Sequence, residues 1–152
     1  MPTEQKKAGF FQDIDRLNSP LEVFILDDTA QCGVTVRPHW HYYLEIIYIL
    51  EGQIEATCDD GTYSLCAGDL IVFYPQSVHS MRRIAPINVP EQPARYFVLM
   101  MDLNYLNITN SDRTRFSKIF RMAYKKNPDY ICFSKETLRQ IPVEQLMYDS
   151  LT

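Results

Sequence analysis

A mainly β domain followed by α-helices is the architecture this 152-residue chain predicts, and three features predict it. Between Leu21 and Leu103, short runs rich in Val, Ile, Phe, Tyr and Thr recur at about the 8–12-residue spacing of a sandwich or barrel. Gly, Pro, Asn or Asp punctuates the gaps between these runs. Beyond Asn110 the apolar positions change from the alternation of a strand to the spacing of a helix.

Composition bounds what such a domain does. With 46% apolar and 22% charged residues, the chain has enough apolar material to bury one core, and its length suits one domain rather than two. Fifteen basic against nineteen acidic residues give a net charge of −4, and no basic stripe extends beyond pairs such as Arg82-Arg83 and Lys125-Lys126. Phosphate neutralisation supplies most nucleic-acid affinity, so these residues alone make a poor DNA binder. Cys32, Cys58, Cys66 and Cys132 lie far apart without a Cys-x-x-Cys pair, which suits reduced thiols acting as small apolar residues. No apolar run reaches the roughly 20 residues that span a bilayer, and the N-terminus lacks a hydrophobic signal core, so a soluble cytoplasmic protein with no membrane partner is expected.

Residues 1–20 are polar apart from Phe10-Phe11 and end in the turn signal Asn18-Ser19-Pro20, which reads as an arm or short helix. Leu21 to Leu26 is the first strand, stopped by Asp27-Asp28. Gln31 to Arg37 is the second, and Pro38 keeps Arg37 out of the helical region. Leu44 to Leu50 is strongly β-branched, and Gly52 turns it into Gln53 to Cys58. Asp59-Asp60-Gly61-Thr62 tolerates the positive φ of a hairpin turn, so Tyr63 to Cys66 pairs back. Ala67-Gly68-Asp69 turns the chain into Leu70 to Tyr74, and Pro75-Gln76-Ser77 leads to a strand from Val78 to Ile84. Pro86, Pro90 and Pro93 remove backbone donors and mark a surface loop before the last run, Arg95 to Leu103.

Asn110-Ser111-Asp112 offers N-caps to a helix whose apolar stripe is Phe116, Ile119, Phe120, Ala123 and Tyr124, ending near Asn127-Pro128. Ser134-Lys135-Glu136-Thr137 starts another short helix that Pro142 interrupts. Val143, Leu146, Met147 and Leu151 keep helical spacing almost to the last residue, which is expected of a fragment cut before a partner segment.

The chemistry-bearing residues concentrate in two stretches. His39 and His41 sit at i and i+2 of an extended segment and share a face. Glu45 has the same parity, but four strand residues rise by about 13 Å, far beyond the roughly 2.0–2.2 Å of a metal bond. A bend near Tyr42 to Leu44 is therefore required if Glu45 is to join the pair. His79, the third and last histidine, must arrive by strand pairing. Three imidazoles and a carboxylate suit zinc, nickel, manganese or ferrous iron, and equally suit a polar cluster hydrogen-bonded to itself or to an organic ligand. Tyr43, Tyr48 and Tyr74 lie close in sequence and could wall a ligand site with apolar rings and hydroxyl tips.

The pattern Gly-x5-His-x-His-x3-Glu-x6-Gly from Gly33 to Gly52 resembles the first cupin motif, and Gly68, Pro75 and His79 resemble the second. Two departures stand out: Pro75 sits one place late, and the second motif's later glycine is absent. The phrasing Glu-Ile-x-Tyr-x-Leu-x-Gly, then Ala-Gly-Asp-Leu-x4-Pro-x3-His-Ser, is similar to the N-terminal sensor domain of AraC-type transcription regulators over roughly residues 20–105.

That resemblance implies a cupin-type barrel (double-stranded β-helix, or jelly roll) over 21–105, an N-terminal arm over 1–20, and a helical segment over 106–152. It further implies a small-molecule effector, for which sugars are one class among relatives, and a homodimer in the full-length protein. DNA would be contacted only through a C-terminal domain absent from this chain. The rival expectation is a metal-dependent cupin enzyme, a dioxygenase or isomerase using His39, His41, Glu45 and His79 as its metal shell.

Overall fold

The computed structural model describes residues 9–12, 21–28, 34–58, 61–84, 93–103 and 130–151. The expected helix over 110–128, the proline loop over 85–92 and the Asp59-Asp60 half of the hairpin turn lie outside the described residues. The strands are β1 (Phe10–Phe11), β2 (Leu21–Asp28), β3 (Val34–Trp40), β4 (Leu44–Glu51), β5 (Gln53–Cys58), β6 (Gly61–Cys66), β7 (Leu70–Phe73), β8 (His79–Arg83), β9 (Ala94–Met101) and β10 (Tyr130–Phe133). Two short helices follow, α1 (Lys135–Leu138) and α2 (Val143–Asp149). None among the described residues is long and apolar enough to cross a membrane.

The strands form two five-stranded sheets, ordered β1-β3-β8-β5-β6 and β10-β7-β4-β9-β2. All neighbours pair antiparallel except β1 with β3. Alternation along β4 divides its side chains between two apolar clusters. Ile47 and Ile49 join Ile54, Ala56, Cys58, Ile71, Phe73, Met81, Tyr96, Val98 and Met100 in one cluster, the interior between the sheets. Leu44, with Ile46 and Tyr48, belongs to a second cluster that includes Leu70, Val72, Tyr74, Leu138 and Val143. The outer face of the second sheet is thus covered by the helical end of the chain.

β10 has no counterpart in the sequence analysis. Four residues are too few to display a period, yet Tyr130-Ile131-Cys132-Phe133 pairs along the whole of β7. The hydroxyls of Tyr63 and Tyr130 hydrogen-bond to each other, joining edge strand β6 of the first sheet to edge strand β10 of the second. Asp69 then ties the strand's exit to the β6–β7 turn: its Oδ2 accepts the Cys66 N–H and its Oδ1 the Lys135 N–H, each at 2.9 Å. Ser134 caps α1 through its hydroxyl, as the sequence suggests.

Among the described residues positive φ occurs at Gly52, Gly68 and one non-glycine, Gln76. Gly52 closes the β4–β5 turn at φ 77°, and a Cβ there would lie 2.5 Å from the Pro93 carbonyl oxygen and 3.0 Å from the Ala94 Cα. Neither backbone atom can step aside as a side chain would. Gly52→Ala is therefore expected to cost about 1–3 kcal/mol in urea unfolding; an unchanged midpoint would mean the turn can be remade.

Candidate metal centre

His39 reaches its place through an irregularity in β3. Val36 pairs with Met81 and His39 with His79, so β3 carries one residue more than β8 across this interval, at Arg37-Pro38. The rings of His39 and His79, directly opposite in register, have centroids 4.3 Å apart, and those of His39 and His41 lie 5.6 Å apart. The chain then bends at Tyr42 and Tyr43 before β4 begins at Leu44. That bend lets Glu45, a residue of the second sheet, meet three histidines carried by the first sheet and its corner.

One ligating atom from each of His39, His41, Glu45 and His79 lies within 4.8 Å of all the others. All four residues are buried, none more than 5% exposed. Every imidazole is oriented by a backbone carbonyl two residues away. Nδ1 of His39 donates to Arg37 O at 2.9 Å, Nδ1 of His41 to Tyr43 O at 3.1 Å, and Nδ1 of His79 to Ser77 O at 3.0 Å. A carbonyl only accepts, so each Nδ1 carries the proton and each neutral ring keeps its lone pair at Nε2.

This fixes what the cluster can hold. Glu45 Oε2 lies 2.9 Å from Nε2 of His41 and 2.8 Å from Nε2 of His79. Burial pushes the Glu45 carboxyl upward, but the hydrogen bonds of His41 and His79 outweigh it and hold the group well below the usual carboxylate range. With protons on both Nε2 atoms the carboxylate accepts from the two rings; with neutral rings protonated at Nδ1 it faces two lone pairs instead, and these acceptors need a cation between them. Burial, and next the neighbouring His79 imidazole, whose charged form would repel a second positive charge, lower the pKa of His39 and favour its neutral, ligating form. Three nitrogen donors and one oxygen, with tautomers set by second partners, fit zinc, nickel, manganese or ferrous iron.

The surroundings are apolar. Phe73 stacks on His79 with centroids 4.2 Å apart and planes 11° from parallel. Cys58 faces His79 across β5–β8, while Met100 and Phe73 flank Glu45 across β4. Phe10 of β1 lies beside His39 at 5.8 Å. Sequence reading missed these neighbours because register, not the pattern of any one strand, puts them there. Of the three tyrosines, only Tyr43 packs on the interior, with its ring 6.4 Å from that of His41. Tyr48 and Tyr74 belong to the outer cluster with Leu138 and Val143, so the structure does not bring them to the four.

A family model described as the AraC-like ligand binding domain matches residues 28–141. The chain belongs to this family. An apo variant of ToxT from Vibrio cholerae shares the fold with a TM-score of 0.56 at 11% identity, over 87% of this chain and 48% of that one. The AraC-like chain thus spans about half the length of ToxT. A cupin protein from Bacteroides fragilis is 26% identical over 53% of this chain and 64% of its own, with a TM-score of 0.44. Oxalate decarboxylase from B. subtilis is 22% identical over 54% of this chain and 21% of its own, also with a TM-score of 0.44. No curated protein matches the sequence. The fold is of the cupin type, as the two motifs imply.

Proposed function

We propose that this AraC-like domain is the effector-sensing part of a transcription regulator, and that His39, His41, Glu45 and His79 hold a divalent cation at which a small molecule binds. The observation that carries the proposal is the common tautomer of the three histidines, whose Nδ1 protons are all committed to backbone carbonyls. The cation would supply a Lewis-acidic point for a donor atom of the effector. Phe73, Met100, Cys58 and Tyr43 favour an apolar body behind that donor over a sugar, whose hydroxyls would each need a partner.

In this reading residues 1–20 are an arm and 21–105 the barrel, to whose second sheet β10 of the 106–152 segment adds an edge strand, and the helices of that segment connect to a DNA-binding domain carried by a longer cytoplasmic gene product. Leu146 on the last helix and Leu151 just after it, at 55% and 40% exposure, leave apolar surface that suits pairing of two copies in the full-length protein.

A metal-dependent enzyme is the second reading, favoured by the donor set itself. Against it, apart from the phenols of Tyr74 and Tyr96 and the Cys58 thiol, the other buried polar or charged side chains among the described residues are Ser77 and Arg83. Ser77 donates its hydroxyl to Tyr74 O, and Arg83 stands four residues along β8 from His79, about 13 Å in a strand. Neither stands ready as an acid or base beside the tetrad.

The test has two arms. A thermal-shift screen of metal-loaded wild type against small carboxylates, phenols and sugars is expected to yield responses that vanish in His79→Ala. A mobility-shift assay of the full gene product on its own upstream DNA is expected to give sequence-selective binding that residues 1–152 alone lack. Equal ligand responses in wild type and His79→Ala would remove the shared site, and a full-length protein without DNA affinity would favour the enzyme.

A further inference from the structure

We infer that Gln76 is a positioning residue for the histidine cluster, holding the corner that carries His41 against the turn that carries His79. This rests on the metal-site reading for its consequence but not for its geometry. The second cupin motif has a glycine between its proline and its histidine, and this chain has none there. It is Gln76, between Pro75 and His79, that takes φ 69°, the left-handed conformation glycine adopts without steric cost.

The conformation has a use. The Gln76 N–H donates to the His41 carbonyl oxygen at 2.7 Å, and the positive φ turns the chain that follows back from that bond. The next residue, Ser77, returns the chain by donating its N–H and its hydroxyl to Tyr74 O, at 3.2 and 2.6 Å. The Ser77 carbonyl then accepts Nδ1–H of His79. Within one turn, Gln76 fixes the backbone of His41 and its neighbour fixes the ring of His79. Both rings present Nε2 to the same oxygen of Glu45. No other backbone hydrogen bond between described loop residues joins these two segments. A non-glycine residue held at positive φ persists where surrounding contacts over-determine it, and here those contacts are the supports of two histidines.

Three variants separate this role from general stability. Gln76→Gly keeps the N–H and relaxes the backbone. Gln76→Val keeps the N–H but resists positive φ, and Gln76→Pro removes the N–H and excludes the conformation. Ring nitrogen NMR spectra of the metal-free proteins report the His41 and His79 tautomers, and Co2+ titration followed by its visible absorption reports the assembled site.

Gln76→Gly is expected to match wild type in both measurements. Gln76→Val is expected to show tautomer exchange at His41 and about 10–100-fold weaker Co2+ binding, the range typical of lost second-partner support. Gln76→Pro follows the same direction if it folds, and Gln76→Val decides if it does not. Unaltered His41 spectra and Co2+ affinity in folded Gln76→Val would overturn the inference. Wild type that takes up no Co2+ would instead overturn the metal reading, leaving the His41 spectra to judge Gln76.

Discussion

Glu45→Gln is expected to abolish stabilisation by divalent metal while leaving the metal-free domain at least as stable as wild type. The two effects have one cause. In wild type, Oε2 faces two nitrogen atoms at 2.9 and 2.8 Å, and the neutral tautomers set by Tyr43 O and Ser77 O leave both as acceptors. A carboxamide offers two N–H donors at this position and satisfies both rings without a cation. It also removes the anionic ligand from the shell. A metal present at about a thousand times its dissociation constant adds about 4 kcal/mol to a folded domain. For a chain of this size that is a rise in Tm of roughly 10 °C. Calorimetry with and without Zn2+, Ni2+, Mn2+ or Fe2+ reads both effects. An equal rise in wild type and Glu45→Gln would remove Glu45 from the shell. A metal-free variant several kcal/mol less stable would show that the rings donate to the carboxylate as imidazolium.

Phe73→Ala has the second large effect, expected at about 3–5 kcal/mol of folding stability. Phe73 is fully buried, lies between β4 and β10 in the second sheet, and places its ring flat against His79. Removing it leaves a void between the histidines and the apolar interior. Phe73→Leu keeps most of the volume and loses the stack, and is expected to cost only about 1–2 kcal/mol. Urea unfolding of the two variants separates packing from stacking. A loss below 1 kcal/mol in Phe73→Ala, measured against the about 3–5 expected for a buried phenylalanine, would mean the interior collapses around the gap.

Much of the fold was legible because punctuation and alternation coincide. Gly52, Gly61 and Gly68 bracket β5 and β6, so Gln53–Cys58 was read to the residue and β6 to within two residues of its start. His39 and His41 were legible as a pair because parity is local, and the bend before Glu45 followed from the length of a bond. The same parity would have set Tyr48 apart, since it stands three residues from Glu45 and so on the other face of β4. Tyr74 follows the inward-facing Phe73 and belongs to the outer cluster for a similar reason. What could not be read depends on register. Cys58 beside His79 and Met100 beside Glu45 are properties of pairs of strands. The short β10 finds its place only when β7 offers an edge, and the backbone of Gln76 follows from what its N–H must reach.

The burial of the four side chains has a kinetic consequence as well as an energetic one. The histidines are 1–3% exposed and Glu45 5%, and the donors come from both sheets, so no single strand can peel away and free the ion. A bound cation would leave only when the two sheets part at this end. Its residence time would follow the opening rate of the sandwich more closely than the strength of its bonds, and would shorten steeply with temperature as that opening does. Two metals of different affinity would then exchange at similar rates, and the ion carried by the domain would record which one was present when the chain folded.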